Sequence, residues 1–212
     1  MSNTKAFIFD LDGVIVFTDK FHYLAWKELA DKMGIYFDET INNRLRGVSR
    51  MESLEIILER YEGPALSEEE KVGLAEEKNA TYRELLKTMT PADVTQEVRD
   101  VLAELRNRGY RLSIGSSSKN ARFILEKVEL LDAFDAISDG NNITNSKPDP
   151  EVFLKAAEYL GVCPNECIVV EDAYAGVDAA KAGGMKAAAT GDASAYEKAD
   201  YVLTTFADLL NL

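Results

Sequence analysis

Apolar residues run unbroken through Ala6-Phe7-Ile8-Phe9 and then meet an acid, Asp10. A short apolar run with polar borders predicts a buried strand that ends at Asp10 or just after it. The period then changes. Phe21, Leu24, Ala25, Leu29 and Met33 recur at helical spacing, and Gly34 stands where a helix-ending glycine belongs. Ser49-Arg50-Met51-Glu52 has the S-x-x-E form of a capping box, ahead of Leu54, Ile57 and Leu58. Ser67-Glu68-Glu69-Glu70 repeats that form and predicts a long amphipathic helix to about Met89. Residues 19 to about 90 read as helices alone.

After Pro91 the two periods alternate. Helices are predicted over 96–108, 119–128, 150–160 and 176–182. Strands are predicted over 110–115, 133–138, 168–170 and 186–189. Strands alternating with helices require right-handed crossovers and a parallel sheet. The first strand belongs with this later group, so the helical stretch is an insertion. The expected fold is α/β: a Rossmann-like parallel-sheet core, residues 1–16 and 92–212, with an inserted all-helical cap, residues 17–91.

Composition narrows the functional classes. The chain has 212 residues and is 46% apolar, enough to bury a core. Its formal charge is −13, with 24 basic against 37 acidic residues. Such a surface repels nucleic-acid backbones and anionic lipid, so neither is expected as a partner. An anionic small substrate would need a local cluster of cations. No apolar run approaches the roughly 18 residues of a membrane span. Asp10 and Asp12 interrupt the segment 6–16 and exclude a signal peptide, so a cytoplasmic chain is expected. Cys163, Cys167 and the single histidine, His22, are too few for a disulfide scaffold or a zinc site.

Four polar clusters lie at or just after predicted strand ends: Asp10-Leu11-Asp12-Gly13, Ser116-Ser117-Ser118-Lys119-Asn120, Lys147-Pro148 and Glu171-Asp172. Open parallel sheets bind ligands at the carboxyl ends of their strands, so these clusters should converge there. Asp10 and Asp12, two apart, would point to the same side if the strand continued through them. Close carboxylates repel unless a cation lies between them, and hard oxygen donors suit Mg²⁺. The segment 116–120 follows a strand and opens a helix, whose first amides and hydroxyls would suit an anion.

Phe9-Asp10-Leu11-Asp12-Gly13-Val14, Ser116, Lys147-Pro148 and Glu171-Asp172 together resemble the four motifs of the haloacid dehalogenase superfamily of phosphotransferases. The resemblance implies that Asp10 is a nucleophile that becomes an aspartyl phosphate and also binds Mg²⁺. Asp12 would be the general acid/base, with its backbone carbonyl on the metal, and Glu171 and Asp172 would complete the metal site. Thr18, His22, Trp26, Leu45-Arg46-Gly47-Val48-Ser49-Arg50 and Ser118-Lys119-Asn120 are similar to a hexose-phosphate mutase branch of that superfamily. That branch interconverts β-D-glucose 1-phosphate and glucose 6-phosphate through β-glucose 1,6-bisphosphate. By the same resemblance, Ser116, the Ser117 amide and Lys147 would hold the transferring phosphoryl group. Arg50, Ser118, Lys119 and Asn120 would hold the other phosphate. Arg46, Gly47, Val48 and Ser49 lie in the implied specificity loop, and Lys78 and Asn79 where the cap meets the sugar. Thr18 falls at the implied hinge, and His22 would couple cap closure to Asp12.

Two positions depart from the branch. Arg46 stands where some members carry Lys, and Phe17 where a carboxylate is common, just before Thr18. The expected enzyme is a Mg²⁺-dependent mutase acting as a single chain on small sugar phosphates. A sugar-phosphate phosphatase of the same fold is the second reading. A non-catalytic phospho-receiver or sugar-phosphate sensor is the third, although a receiver needs neither Asp12 nor an inserted cap.

Overall fold

The structure, a computed structural model, describes residues 4–45 and 48–212. In chain order its regular elements are β1 (Ala6–Phe9), α1 (Asp19–Lys32), α2 (Glu39–Asn43), α3 (Arg50–Leu58), α4 (Glu68–Leu86), α5 (Gln96–Asn107), β2 (Arg111–Gly115), α6 (Ala121–Lys127), β3 (Ala136–Ser138), α7 (Glu151–Leu160), β4 (Cys167–Glu171), α8 (Tyr174–Ala182), β5 (Lys186–Ala189) and β6 (Tyr201–Val202). The chain divides into two compact units. One comprises Met1–Phe17 with Met89–Leu212, and the other Thr18–Thr88.

The first unit holds a six-stranded sheet in the order β3-β2-β1-β4-β5-β6, with every pairing parallel. The chain starts at β1, works outward to β3, and crosses back to β4 on the other side of β1. The order therefore reverses between β1 and β4, and that is where a parallel sheet offers a crevice. All four residues of β1 and all five of β4 are buried, which explains the apolar runs Ala6–Phe9 and Cys167–Val170. One face of the sheet packs Ile8 and Val169 with Val152 and Phe153 of α7 and Val177 of α8. On α5, Val98, Val101, Leu102 and Leu105 form the buried stripe. The Thr95 hydroxyl caps that helix by accepting from the Val98 amide at 3.3 Å, and Gly109, at φ +87°, ends it.

The second unit is helical. Trp26, Leu29, Ala30, Ile35, Phe37, Ile41, Leu54, Ile57 and Ala75 form its core. Each large side chain so buried contributes about 1.5–3 kcal/mol. That outweighs the roughly 1 kcal/mol cost of Gly73 inside α4. The capping box predicted at Ser67 is complete, and at Ser49 the hydroxyl half of the predicted box is present. Ser67 accepts from the Glu70 amide at 3.2 Å while Glu70 accepts from the Ser67 amide at 2.7 Å, and Ser49 accepts from the Glu52 amide at 3.2 Å.

Several boundaries move. α4 stops at Leu86, where the Thr88 hydroxyl donates to the Leu85 carbonyl at 2.7 Å, short of the expected Met89. The helix expected from Lys119 begins at Ala121, because hydroxyls hold the preceding amides in a loop. β3 keeps three of its six expected residues, after a 3₁₀ turn at Leu131–Ala133. α8 starts two residues early, at Tyr174. The short elements α2 and β6 were not expected. The first is held by the Asp38 carboxylate accepting from the Ile41 amide at 2.9 Å, and the second by pairing to β5 alone.

Candidate active site

Register places the first acids side by side. Phe9 pairs with Val170, so Asp10 comes to lie beside Glu171, the last residue of β4, at the carboxyl end of the sheet. The Asp10 amide donates to the Val170 carbonyl at 2.9 Å, extending the pairing by one residue. Asp10, Glu171 and Asp172 each bring a carboxylate oxygen to within 4.8 Å of the others. Two glycines permit this crowding. A Cβ on Gly13, which sits at φ +89°, would lie 2.0 Å from Asp172 Oδ2, and one on Gly176 would lie 1.9 Å from the Glu171 carboxyl carbon.

The Lys147 ammonium donates to both Asp10 and Glu171. Its side chain is 7% exposed. Burial alone would lower its pKa, but the two carboxylates outweigh that and raise it, so it stays charged. Its nitrogen lies 4.7 Å from the centre of the Phe153 ring. Phe153 in turn occupies the space that a side chain on Gly115 would fill, since a Cβ there would lie 2.6 Å from the ring.

Negative charge still exceeds positive here. Burial, reinforced by Asp10 and Glu171, pushes the Asp172 carboxyl up to about 8. Burial raises Glu171 as well, against the pull of Lys147. Three hard oxygen donors with surplus negative charge fit a hard divalent cation, which would relieve both shifts.

Asp12 is placed by a different device from the one expected. The strand ends at Phe9, and residues 11–16 form a tight loop in which the Ile15 and Val16 amides both donate to the Leu11 carbonyl at 3.0 Å. Strand alternation therefore does not orient Asp12, and its carboxylate is not one of the three clustered acids.

The segment after β2 also differs from a helix-start anion site. Ser116 is buried, its amide donates to the Ser138 carbonyl at 3.1 Å, and its hydroxyl accepts from the Ser118 amide at 3.1 Å. The Ser118 hydroxyl accepts from the Asn120 amide at 3.2 Å. The amides of Ser116, Ser118 and Asn120, expected to face an anion, are thus used within the protein. The Ser117 hydroxyl is buried and has no partner among the described residues. Lys119 is exposed, and Asn120 is buried immediately before α6.

In the second unit, Lys78 and His22 form a separate cluster. Lys78 Nζ lies 2.9 Å from His22 Nδ1, and 4.6 Å and 4.7 Å from the centres of the Trp26 and Tyr82 rings. Burial, then the charges of Lys78 and Arg50, holds the imidazole well below its usual pKa. It is therefore neutral at pH 7 and accepts at Nδ1 from the ammonium, which leaves its proton on Nε2. His22 stacks on Tyr82 with centroids 4.1 Å apart. Arg50 donates to the Asn79 side-chain oxygen at 2.9 Å. Thr18 is buried ahead of α1, and its carbonyl accepts from the Phe21 and His22 amides. Val48 and Ser49 are part-buried, and the Ser49 hydroxyl serves the cap of α3. Arg46 and Gly47 lie outside the described residues.

Sequence reasoning missed Tyr82, Phe153, Gly115 and Gly176. Tyr82 had a usable signal, since it stands four residues after Lys78 on one helical face. The other three had none, because their roles depend on distances across the fold.

Residues 4–184 match the haloacid dehalogenase-like hydrolase family. The chain belongs to that family. It is 42% identical over 207 residues to the beta-phosphoglucomutase of Bacillus subtilis, covering 97% of this chain and 91% of that protein. It is 34% identical over 185 residues to a phosphorylated carbohydrates phosphatase of Thermotoga maritima, covering 86% and 82%. The crystal structure of a beta-phosphoglucomutase from Clostridium difficile superposes with a TM-score of 0.89 at 40% identity, over 98% of this chain and 96% of that one.

Proposed function

We propose that the chain is a Mg²⁺-dependent β-phosphoglucomutase. The observation that carries this reading is the 42% identity to the Bacillus subtilis enzyme, which runs through both units and covers 97% of the chain. In the first half-reaction an Asp10 carboxylate oxygen attacks the phosphorus of the bisphosphate, and the bond from phosphorus to the sugar oxygen breaks. Asp12 gives that oxygen its proton. In the second, Asp12 takes the proton from the sugar hydroxyl that attacks the aspartyl phosphate, and Asp10 leaves as a free carboxylate. Bound at Asp10, Glu171, Asp172 and the Asp12 carbonyl, Mg²⁺ would offset charge on the transferring group. Lys147, Ser116 and the Ser117 amide would hold that group. Arg50, Ser118, Lys119 and Asn120 would take the other phosphate, with Lys78 and Asn79 toward the sugar. Val48 and Ser49, with Arg46 and Gly47, would read the sugar itself. Thr18 would stand at the hinge, and His22 would couple closure to Asp12.

The Thermotoga maritima relative supports a second reading, a sugar-phosphate phosphatase using the same first half-reaction and water in the second. Phosphorus NMR separates the two with β-glucose 1-phosphate, Mg²⁺ and a trace of the bisphosphate. Glucose 6-phosphate should accumulate without matching free phosphate. Stoichiometric free phosphate would replace the mutase by the phosphatase, and neither product would overturn both.

A further inference from the structure

We infer that Glu151, braced by Lys155, is a positioning residue that sets where the Lys147 ammonium sits. This rests on the reading of Lys147 as a ligand of the transferring phosphoryl group. Lys147 projects from the irregular segment between β3 and α7, and a lysine side chain has four rotatable bonds, so its head needs a fixed base. The first turn of α7 supplies one. Glu151 Oε2 accepts from the amides of Thr144 and Asn145 at 2.9 and 2.8 Å, three and two residues before Lys147. Glu151 Oε1 pairs with Lys155 at 2.8 Å, and Lys155 also donates to the Asn142 carbonyl. On the other side of Lys147, the Asp149 amide donates to the Ser146 carbonyl at 3.1 Å and the Asp149 carboxylate accepts from the Glu151 amide at 2.9 Å. The start of the segment is held too, since Asn142 Nδ2 donates to the Ser138 hydroxyl at 3.1 Å.

The helix that grips the segment also carries Phe153, two residues beyond Glu151, whose ring lies under the Lys147 nitrogen. Base and head of the same side chain are thus referenced to one rigid element. Lys155 and the two amides hold the Glu151 carboxyl down at about 2, so the clamp stays ionised at working pH. A plain helix-start acid would need none of the contacts to Thr144 and Asn145.

The test measures single-turnover phosphorylation of Asp10 by acetyl phosphate with saturating Mg²⁺, per folded molecule. Displacing a group that contacts the reacting atoms by about 1 Å costs up to about 10²-fold. Glu151→Ala should slow phosphorylation at least about tenfold, and Lys155→Met should slow it less. In a Lys147→Ala background, or Lys147→Arg if the alanine variant falls below detection, Glu151→Ala should cost less than about twofold more. A normal rate in Glu151→Ala, or the same loss in both backgrounds, overturns the positioning role. If Glu151→Ala does not fold, Lys155→Met is carried through the same cycle with the same two criteria. A normal rate in Lys147→Ala instead overturns the reading of Lys147 on which the inference rests.

Discussion

Asp10 is the side chain on which the proposed chemistry turns. Asp10→Asn keeps its shape and removes its charge, so turnover of β-glucose 1-phosphate should vanish while circular dichroism reports an unchanged fold. Asp12→Asn should cost about 10²- to 10⁴-fold in the same assay, the usual scale of general acid/base catalysis. Mg²⁺ affinity should persist in that variant, because the Asp12 carboxylate is not among the three clustered acids. A calorimetric Mg²⁺ titration paired with steady-state turnover checks both halves. Gly176 makes a different kind of contribution, since an added methyl would overlap the Glu171 carboxyl group. Gly176→Ala should therefore destabilise the protein by about 1–3 kcal/mol in urea unfolding and weaken Mg²⁺ binding, although the glycine carries no chemistry.

Elements are stabilised by devices that differ in how local they are. The reciprocal cap of α4 joins Ser67 and Glu70 by two backbone bonds, both within four residues. Ser67→Ala should lower stability by about 1 kcal/mol, and Glu70→Ala should add little in the double variant because the two act as one unit. Denaturant unfolding of the three variants measures it. The cap was legible in the spacing because a capping box involves only its own residues. The start of α6 was not legible. Ser116, Ser118 and Asn120 can open a helix or hold a loop, and the choice went to the loop once Ser138 took the Ser116 amide from across the sheet.

Across the whole molecule, charge and metal are linked. The chain carries −13 overall, and three of its acids crowd one crevice. Without metal, burial and its acidic neighbours hold Asp172 near 8, above its unfolded value of 3.8. Between those values the folded chain binds more protons than the unfolded one, so this group's contribution falls as pH rises from about 4 to 8. A divalent cation replaces the proton and removes the penalty. Chelation should therefore lower the melting temperature more at pH 8 than at pH 6, and Mg²⁺ binding at pH 7 should release protons. Scanning calorimetry with and without chelator tests the first. Titration in buffers of different ionisation enthalpy tests the second.

The sequence by itself determined the kinds of element and the places where chemistry accumulates. Period two or an unbroken apolar run, period 3.6, and the residues that start and stop helices are properties of neighbouring residues, so the strands at 6–9 and 168–170 and the capped helices could be read directly. The motif residues could be read as well, because Asp10, Glu171 and Asp172 follow predicted strand ends and, with Lys147, match a family pattern. Only the tertiary structure decided how they meet. It set β4 beside β1, brought Lys147 onto Asp10 from 137 positions along the chain, and gathered three carboxylates within 4.8 Å. It also gave Gly115, Gly176, Phe153 and Glu151 their roles. Those roles rest on interatomic distances between segments far apart in the chain, and no local period or motif encodes such distances.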